Sequence, residues 1–438
     1  MKQENDAVVN RGMEEIHGLI KAYDHFIPYQ LLDLLGRGSV VDIALGDQVE
    51  KRVTVMFSDI RDFTTLSESL TPKQNFNFLN SYLSQMEPLI TVNNGIIDKY
   101  IGDAIMAIYP TSADEALAAA FQMSRQLEHY NEGRKRAGYK PIDIGIGLNT
   151  GLCMVGTIGG LSRMEGTVIS DAVNLASRIE SLTKHYHVRL LISEHTYNAL
   201  SDVEGHCIRF IDRLAVKGKK QAQTVYEVFD EDAAPQRELK RKTLPLFEEA
   251  LVNYHYREVV TARGLLLRCL EINPDDRPAK VYLEKCDAFM ESGSFAGTAE
   301  LDQHPAWGSD FELGVSEIDV QHEELFSLTY QMIAMMEGSA PLAGILSQAE
   351  LLGEAAGSHF STEERIMDEA QYPFLQSQHE QHSHFLEGFA RLMRELTTST
   401  LPPIYLKFRM QVMLVDWLVN HTTREDRHFG LFLKNRDV

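Results

Sequence analysis

The sequence predicts a chain of three folded parts. An α/β sandwich occupies 51–230, a short helical connector 231–298, and an all-α, up-down four-helix bundle 299–438, behind a helical lead-in over 1–50. Three observations carry this. Between Arg52 and Asp230, β-branched runs alternate with helix-spaced segments, the pattern of a sheet covered by helices. Four long amphipathic segments, roughly 317–337, 342–370, 374–397 and 403–433, are set apart by Pro341, Pro373 and the pair Pro402-Pro403. Eight of the sixteen histidines lie between His304 and His428, so metal chemistry is expected in the last part.

Composition narrows the function. The 438 residues are 44% hydrophobic, enough for sizeable cores. The net charge of −21 argues against nucleic acid or an anionic membrane surface as the main partner. No apolar run approaches the length of a membrane span, and MKQENDAVVN lacks a signal peptide's apolar segment. Cys153, Cys207, Cys269 and Cys286 form no CxxC pair and read as reduced thiols of a cytoplasmic protein.

The elements follow in order. PYQLLDLLGRG is a short helical piece begun by Pro28 and ended by Gly36 and Gly38. VTVMFSDI is a buried strand, and NFNFLNSYLSQMEPLI has helical spacing. IIDKYIGDAIMAIYP reads as strand, Gly102-Asp103 turn, strand. DEALAAAFQMSRQLEHYNEG is a helix. Strand IDIGIGLNTG, a Gly-rich stretch around GTIGG, helix DAVNLASRIESLTKHY, strand RLLIS and a closing VKGKK…TVYEVFD complete the sandwich. Residues 231–240 read as a linker. The stretch from LFEEALVNYHYREVV to KCDAFM reads as two or three helices with a turn at Asn273-Pro274-Asp275, and resembles one tetratricopeptide-type repeat. A single repeat cannot bury its own face, so it should dock on a neighbour. ESGSFAGTAELDQHPAWGSD is the next linker.

Asp59 ends a strand and Asp103 sits in a tight turn. Two such carboxylates can hold divalent ions against phosphates. Taken singly, each is better read as a cap or a turn residue. FSDIRDFT, DKYIGDAIMA and GTVISDAVNLASR occur in this order, and together they resemble the catalytic domain of class III nucleotidyl cyclases over about 50–230. The resemblance implies a ferredoxin-like α/β sandwich working as a head-to-tail homodimer with shared sites. It implies two Mg²⁺ or Mn²⁺ on Asp59 and Asp103, and attack of the ribose 3′-hydroxyl on the α-phosphorus with loss of pyrophosphate. Asn174 would position the ribose and Arg178 would stabilise charge on the α-phosphate. Lys217 or Lys219 would meet the terminal phosphates, and Ile60 and Phe63 would line the substrate site. A solvated polar stripe would explain Arg178 alone. It explains less well why Asn174 and Arg178 share one helix face between Val173, Leu175, Ala176 and Ile179.

Lys99 lies four before Asp103, and Thr167 seven before Asn174, as in adenine-selective members. A lysine donates to adenine N1 and a threonine oxygen accepts from the 6-amino group, whereas guanine presents N1–H and O6. The expected substrate is therefore ATP and the product cyclic AMP, with GTP the alternative.

WGSDFELGVSEIDVQHEELF, HFSTEERIM and HTTREDRHF resemble hemerythrin domains over about 304–435, which hold a non-haem di-iron centre. Spacing agrees: His359 and Glu363 are i, i+4, His421 and Asp426 are five apart, and His322 lies on the first helix. A polar seam is the plainer reading of any one such pair. The family expects two histidines four apart on the third helix. In SQHEQHSHFL, Phe385 marks His382 as the second, and four residues earlier stands Gln378. At about 100° per residue, Gln378 lies roughly 40° from His382, His379 roughly 60° to the other side, and His384 about 200° away. Imidazole binds iron better than an amide, so His379 is the expected ligand, with Gln378 or water the alternatives.

The joint expectation is a cytoplasmic adenylate cyclase whose homodimer answers to O2, NO or redox state at the di-iron bundle. A guanylate cyclase with the same sensor, or a constitutive cyclase tethered to a passive iron or oxygen store, are the alternatives. An inactive scaffold is disfavoured by the presence of Asp59, Asp103, Lys99, Asn174 and Arg178.

Overall fold

The computed structural model describes residues 33–37, 39–160, 163–215, 222–293, 307–337, 340–398 and 403–436. The lead-in over 1–32, together with Lys217 and Lys219, lies outside them. The chain divides into two compact units: Met1–Val203 with Phe229–Glu231, and Glu204–Val228 with Asp232–Val438. Among the described residues no helix is long and apolar enough to cross a membrane. All four cysteines are buried thiols.

The first unit is built on a sheet containing β1 (Gln48–Ile60), β2 (Ile96–Ile101), β3 (Ala104–Tyr109), β4 (Ile144–Gly160), β5 (Arg163–Ile169) and β6 (Leu190–Ser193). The order is β2-β3-β1-β4-β6, and β5 pairs with β4. Only β4–β6 among these pairs is parallel. Helices α1 (Phe63–Glu68), α2 (Pro72–Val92), α3 (Ala113–Arg136), α4 (Asp171–Tyr186) and α5 (Glu194–Asn198) connect the strands. Thr71 and Gln74 form a capping box that starts α2, with Pro72 fitting the first turn. Val53, Val55, Phe57, Met106, Ile108 and Val155 form a core on the strands, joined by Ala176 of α4.

One feature of β4 sets where α4 lies. In IGIGLNTG, Ile144, Ile146 and Leu148 fill one face, while Gly145, Gly147, Asn149 and Gly151 form the other. A side chain at Gly147 would meet Glu180 N at 2.3 Å, so the helix rests directly on backbone. Asn149 Nδ2 donates to Ala172 O at 2.9 Å and ties down the first turn of α4. Near its far end, the Arg61 guanidinium donates to Thr183 O at 3.1 Å.

The GTIGG stretch, to which the sequence assigns no element, is the end of β4, laddered with β5 from Met154↔Ile169 to Gly160↔Arg163. Backbone pairing overrides the low strand preference of glycine.

The second unit holds β7 (Ile208–Ala215) and β8 (Ala222–Val228), an antiparallel pair. Three helices follow: α6 (Ala234–His255), α7 (Val259–Ile272) and α8 (Arg277–Ser292). Residues 234–240, expected in a linker, instead form the first turns of α6. The reason is a buried ion network: Lys240 reaches Glu227 and Asp232, and Arg209 takes Glu227 and, through two bonds, Asp276. The chain then runs through α9 (Ser316–Glu337), α10 (Leu342–Glu369) and α11 (Leu375–Thr398). Its last helical stretch comprises α12 (Pro403–Met410), a π-helical run Gln411–Asp416, α13 (Trp417–Asn420), a second π-helical run His421–Glu425, and α14 (Asp426–Arg436). Phe326, Leu352, Phe360, Leu392, Met410 and Leu414 belong to the core between these helices.

Candidate functional sites

In the first unit, the ladder β1–β3 brings the end of β1 beside the β2–β3 turn, where Gly102 takes φ +66°. Ile60 N donates to Asp103 Oδ2 at 3.3 Å, so the carboxyls of Asp59 and Asp103 adjoin. Burial, then the Asp59 carboxyl, pushes Asp103 up to about 7. Two carboxyls that resist sharing negative charge suit a divalent cation. Two groups that the sequence did not flag stand here on α4. Lys184 Nζ pairs with Asp59 Oδ2 at 2.6 Å, and Glu180 is pushed up to about 7 by burial. Both are i, i+4 neighbours on one helix, a spacing too common to single them out.

A second cluster lies between β2 and β5. Lys99 Nζ donates to Thr167 Oγ1 at 2.8 Å, across 68 residues of sequence. Asp98 Oδ2 lies 3.2 Å from the same hydroxyl and 3.3 Å from Lys99 Nζ. Glu165 stands 3.6 Å from Lys99 at the rim. Burial raises the Asp98 pKa against the pull of Lys99 and Thr167.

In the second unit, four helical segments aim imidazoles and carboxylates at one buried point. His322 from α9, His359 and Glu363 from α10, His382 from α11, and His421 and Asp426 from the last stretch are all at most 3% exposed. Ligand atoms of His359, Glu363, His421 and Asp426 lie within 4.8 Å of one another. Glu363 Oε2 is 3.3 Å from His382 Nε2 and 3.6 Å from His421 Nε2. Asp426 is 3.1 Å from His322 Nε2 and 3.2 Å from His421 Nε2. Phe360 stacks on His382 and Trp417 on His421, which fixes both rings.

Charge states follow from burial. It pushes His322 down to about 4 and lowers His359 and His421, so these three imidazoles stay neutral and able to bind metal at neutral pH. Burial opposes ionisation of Glu363, yet the donors His382 and His421 hold it well below the usual carboxylate range. Burial and Glu363 raise Asp426 well above it. Both His322 ring nitrogens and His359 Nε2 make no aligned hydrogen bond. Orphaned buried nitrogens facing two carboxylates fit a cation and fit little else.

Two family matches decide the assignment. The adenylate and guanylate cyclase catalytic domain matches residues 46–228, and the hemerythrin HHE cation-binding domain matches 313–432. The chain joins a cyclase domain to a hemerythrin domain. The terminal-differentiation-specific adenylate cyclase of Dictyostelium discoideum is 37% identical over 280 residues, 63% of this chain and 13% of that protein. An adenylate cyclase of Anabaena cylindrica is 38% identical over 231 residues, 51% of this chain and 46% of that one. The chain thus spans less than half the length of either relative. The solved adenylyl cyclase CyaB from P. aeruginosa is 36% identical, covering 42% of this chain and 96% of that one, with a TM-score of 0.37. The guanylyl cyclase Cya2 is 33% identical, covering 41% and 92%, also with a TM-score of 0.37.

Within the cyclase domain, the structure brings Asp59 to Asp103 and Lys99 to Thr167. Ile60 is buried under the aspartates, and Phe63 stacks on Phe78. Asn174 and Arg178 share an exposed face of α4. Within the hemerythrin domain, the expectation for His379 is corrected. Its side chain is 57% exposed and its Nδ1 meets Glu364 Oε2 at 3.0 Å, outside the cluster. Gln378 turns inward instead, 2% exposed, with an unpartnered Oε1. The helix keeps its regular register, and the charged-capable imidazole takes the solvent side beside a carboxylate. Glu364, which the sequence reading passed over, also accepts from His382 Nδ1 at 2.7 Å and so aims its Nε2 inward.

Proposed function

We propose that this chain is an adenylate cyclase, converting ATP to 3′,5′-cyclic AMP and pyrophosphate, whose activity answers to a non-haem di-iron centre in its hemerythrin domain. The observation that carries the nucleotide choice is Lys99 Nζ at 2.8 Å from Thr167 Oγ1. That pair offers a donor for adenine N1 and an acceptor for the 6-amino group, side by side.

Asp59 and Asp103 would hold Mg²⁺ or Mn²⁺, which when bound neutralises triphosphate charge and acidifies the ribose 3′-hydroxyl. The chain's own residues do the rest. Lys99 and Thr167 orient the base, while Ile60 and Phe63 back the site. Asn174 positions the ribose, so that the 3′-oxygen faces the α-phosphorus in line with the departing pyrophosphate. Arg178 meets the charge that develops on the α-phosphate, and Lys217 or Lys219 the terminal phosphates. The exposure of Asn174 and Arg178 in one chain supports a homodimer in which a second copy completes each site.

In the second unit, α6–α8 form a tetratricopeptide-like connector, and α9 to α14 an up-down four-helix bundle. His322, His359, Glu363, His382, His421 and Asp426 would hold iron, with Gln378 in place of a further histidine. Iron there supplies binding of O2 or NO, or a change of redox state. Strands β7 and β8 support coupling between the two activities. They fall inside the cyclase match, yet Phe210 of β7 packs on Phe408 of α12 at 4.7 Å and Ile211 O accepts from Tyr282 of α8. A dimer whose site depends on orientation needs only unequal contacts in two states to be regulated. Cytoplasmic residence completes the reading, in keeping with four buried cysteines held as thiols.

The test is cyclic AMP formation by iron-loaded chain, reduced without air and then exposed to air, with ATP and GTP compared. A difference abolished by His359→Ala with His421→Ala supports a sensor. Equal rates demote the hemerythrin domain to storage, and no turnover by folded dimer refutes the cyclase.

A further inference from the structure

Resting on the adenylate reading, we propose that Asp98 is a positioning residue that selects adenine by fixing the Thr167 hydroxyl as an acceptor. The backbone prepares this. In the β2–β3 ladder, Ile97 faces Ala107 and Lys99 faces Met106, so Asp98 is the extra residue of a β-bulge. In a regular strand neighbours point to opposite faces; a bulge re-aims them. Here Asp98 and Lys99 reach the same hydroxyl, Asp98 from below with a side chain 2% exposed, Lys99 from the rim at 32%.

The hydrogen count then decides the pattern. An ionised carboxylate only accepts, and a hydroxyl carries one proton. Thr167 therefore gives its proton to Asp98 at 3.2 Å and accepts from the Lys99 ammonium at 2.8 Å, which leaves its remaining acceptor capacity for a base. Outward, the pair shows one acceptor and one donor. Adenine meets both through its 6-amino group and N1. Guanine sets O6 against the lone pairs and N1–H against the ammonium. Without Asp98 the hydroxyl is free to turn its proton toward O6, and the discrimination weakens. Glu165, 51% exposed and 3.6 Å from Lys99, stands at the rim and does not substitute.

The experiment measures kcat/KM for Mg-ATP and Mg-GTP on the full chain, as wild type, Asp98→Asn, Thr167→Ala and the double variant. Asp98→Asn should lower the ATP:GTP ratio by about tenfold to a hundredfold, the worth of a good base-edge pair. In the Thr167→Ala background the same change should leave the ratio unmoved. Equal losses for both nucleotides, or the same fall in ratio without the hydroxyl, overturn the proposal. If Asp98→Asn does not fold, Thr167→Val carries the test, since removing only the hydroxyl must cost the same ratio; a retained ratio overturns it. A wild type that prefers GTP overturns the adenylate reading itself. A wild type that prefers ATP, with the ratio unmoved in Asp98→Asn, overturns only the role of Asp98.

Discussion

Gly147→Ala is expected to silence the cyclase without unfolding it. The added Cβ would stand 2.3 Å from Glu180 N, 2.8 Å from Ala176 O and 2.8 Å from Glu180 Cα, where ordinary contact begins at 3.4 Å. Every obstacle is helix backbone, so no rotamer relieves it. The helix α4 must retreat by about 1 Å, while Asn149 holds Ala172 O and Arg61 holds Thr183 O. The helix therefore tilts, and Asn174 and Arg178 move with it. A shift of about 1 Å in positioning groups costs about a hundredfold in rate. Overpacking of this kind costs about 1–3 kcal/mol in stability. The assay is kcat and KM for cyclic AMP formation, with thermal melting as the check on folding. A hundredfold fall in kcat at a modest loss of melting temperature is expected. Gly133→Ala on α3, where an added Cβ meets nothing within 4 Å, is the control and should be neutral. Near wild-type kcat in Gly147→Ala would refute the claim that this glycine sets the position of α4.

Arg209→Met should destabilise the second unit by about 3–5 kcal/mol in urea unfolding, because Glu227 and Asp276 stay buried without their guanidinium. A loss under about 1 kcal/mol would mean the carboxylates find other partners. Burial pushes His255 down to about 4, against 6.5 for the free side chain. Its contribution is complete above pH 6.5 and is lost as the unfolded chain takes up protons below it, by up to about 3 kcal/mol near pH 4. His255→Phe should flatten that stretch of the stability-against-pH curve. Asp426→Asn should lose most of its iron on gel filtration, read by elemental analysis, and Lys99→Glu should erase the preference for ATP over GTP.

The elements that could be read from sequence are those whose pattern is local. β1, β2–β3 and α4 carry their periodicity and caps in adjacent residues. The GTIGG ladder did not show, because its stability comes from a partner strand and glycine advertises nothing. Lys240 looked like a linker charge because its partners, Glu227 and Asp232, give no sign in sequence that they will be buried. At the sites, residue types with a fixed spacing were visible, including His359 with Glu363 and Lys99 before Asp103. Asp98 was hidden by a bulge that no pattern of alternation predicts. His379 was favoured by its chemistry, and the helix register gave the inward place to Gln378.

The two π-helical runs in the last stretch have a bearing on how this protein tolerates change in length. On an α-helix, residues five apart point about 140° from each other. His421 and Asp426 nevertheless come within 3.2 Å, because the turn His421–Glu425 accommodates one residue more than an α-turn. Everything beyond Asp426 inherits that count. Phe429 is fully buried against Tyr372, and His428 Nδ1 meets the Tyr372 hydroxyl at 2.6 Å. Deleting a single residue between 422 and 425 would swing both about 100° around the axis while pulling Asp426 out of place. The aromatic closure at the end of the chain and the metal cluster are thus written in one reading frame of the helix. An indel that spares every ligand by name would still dismantle both.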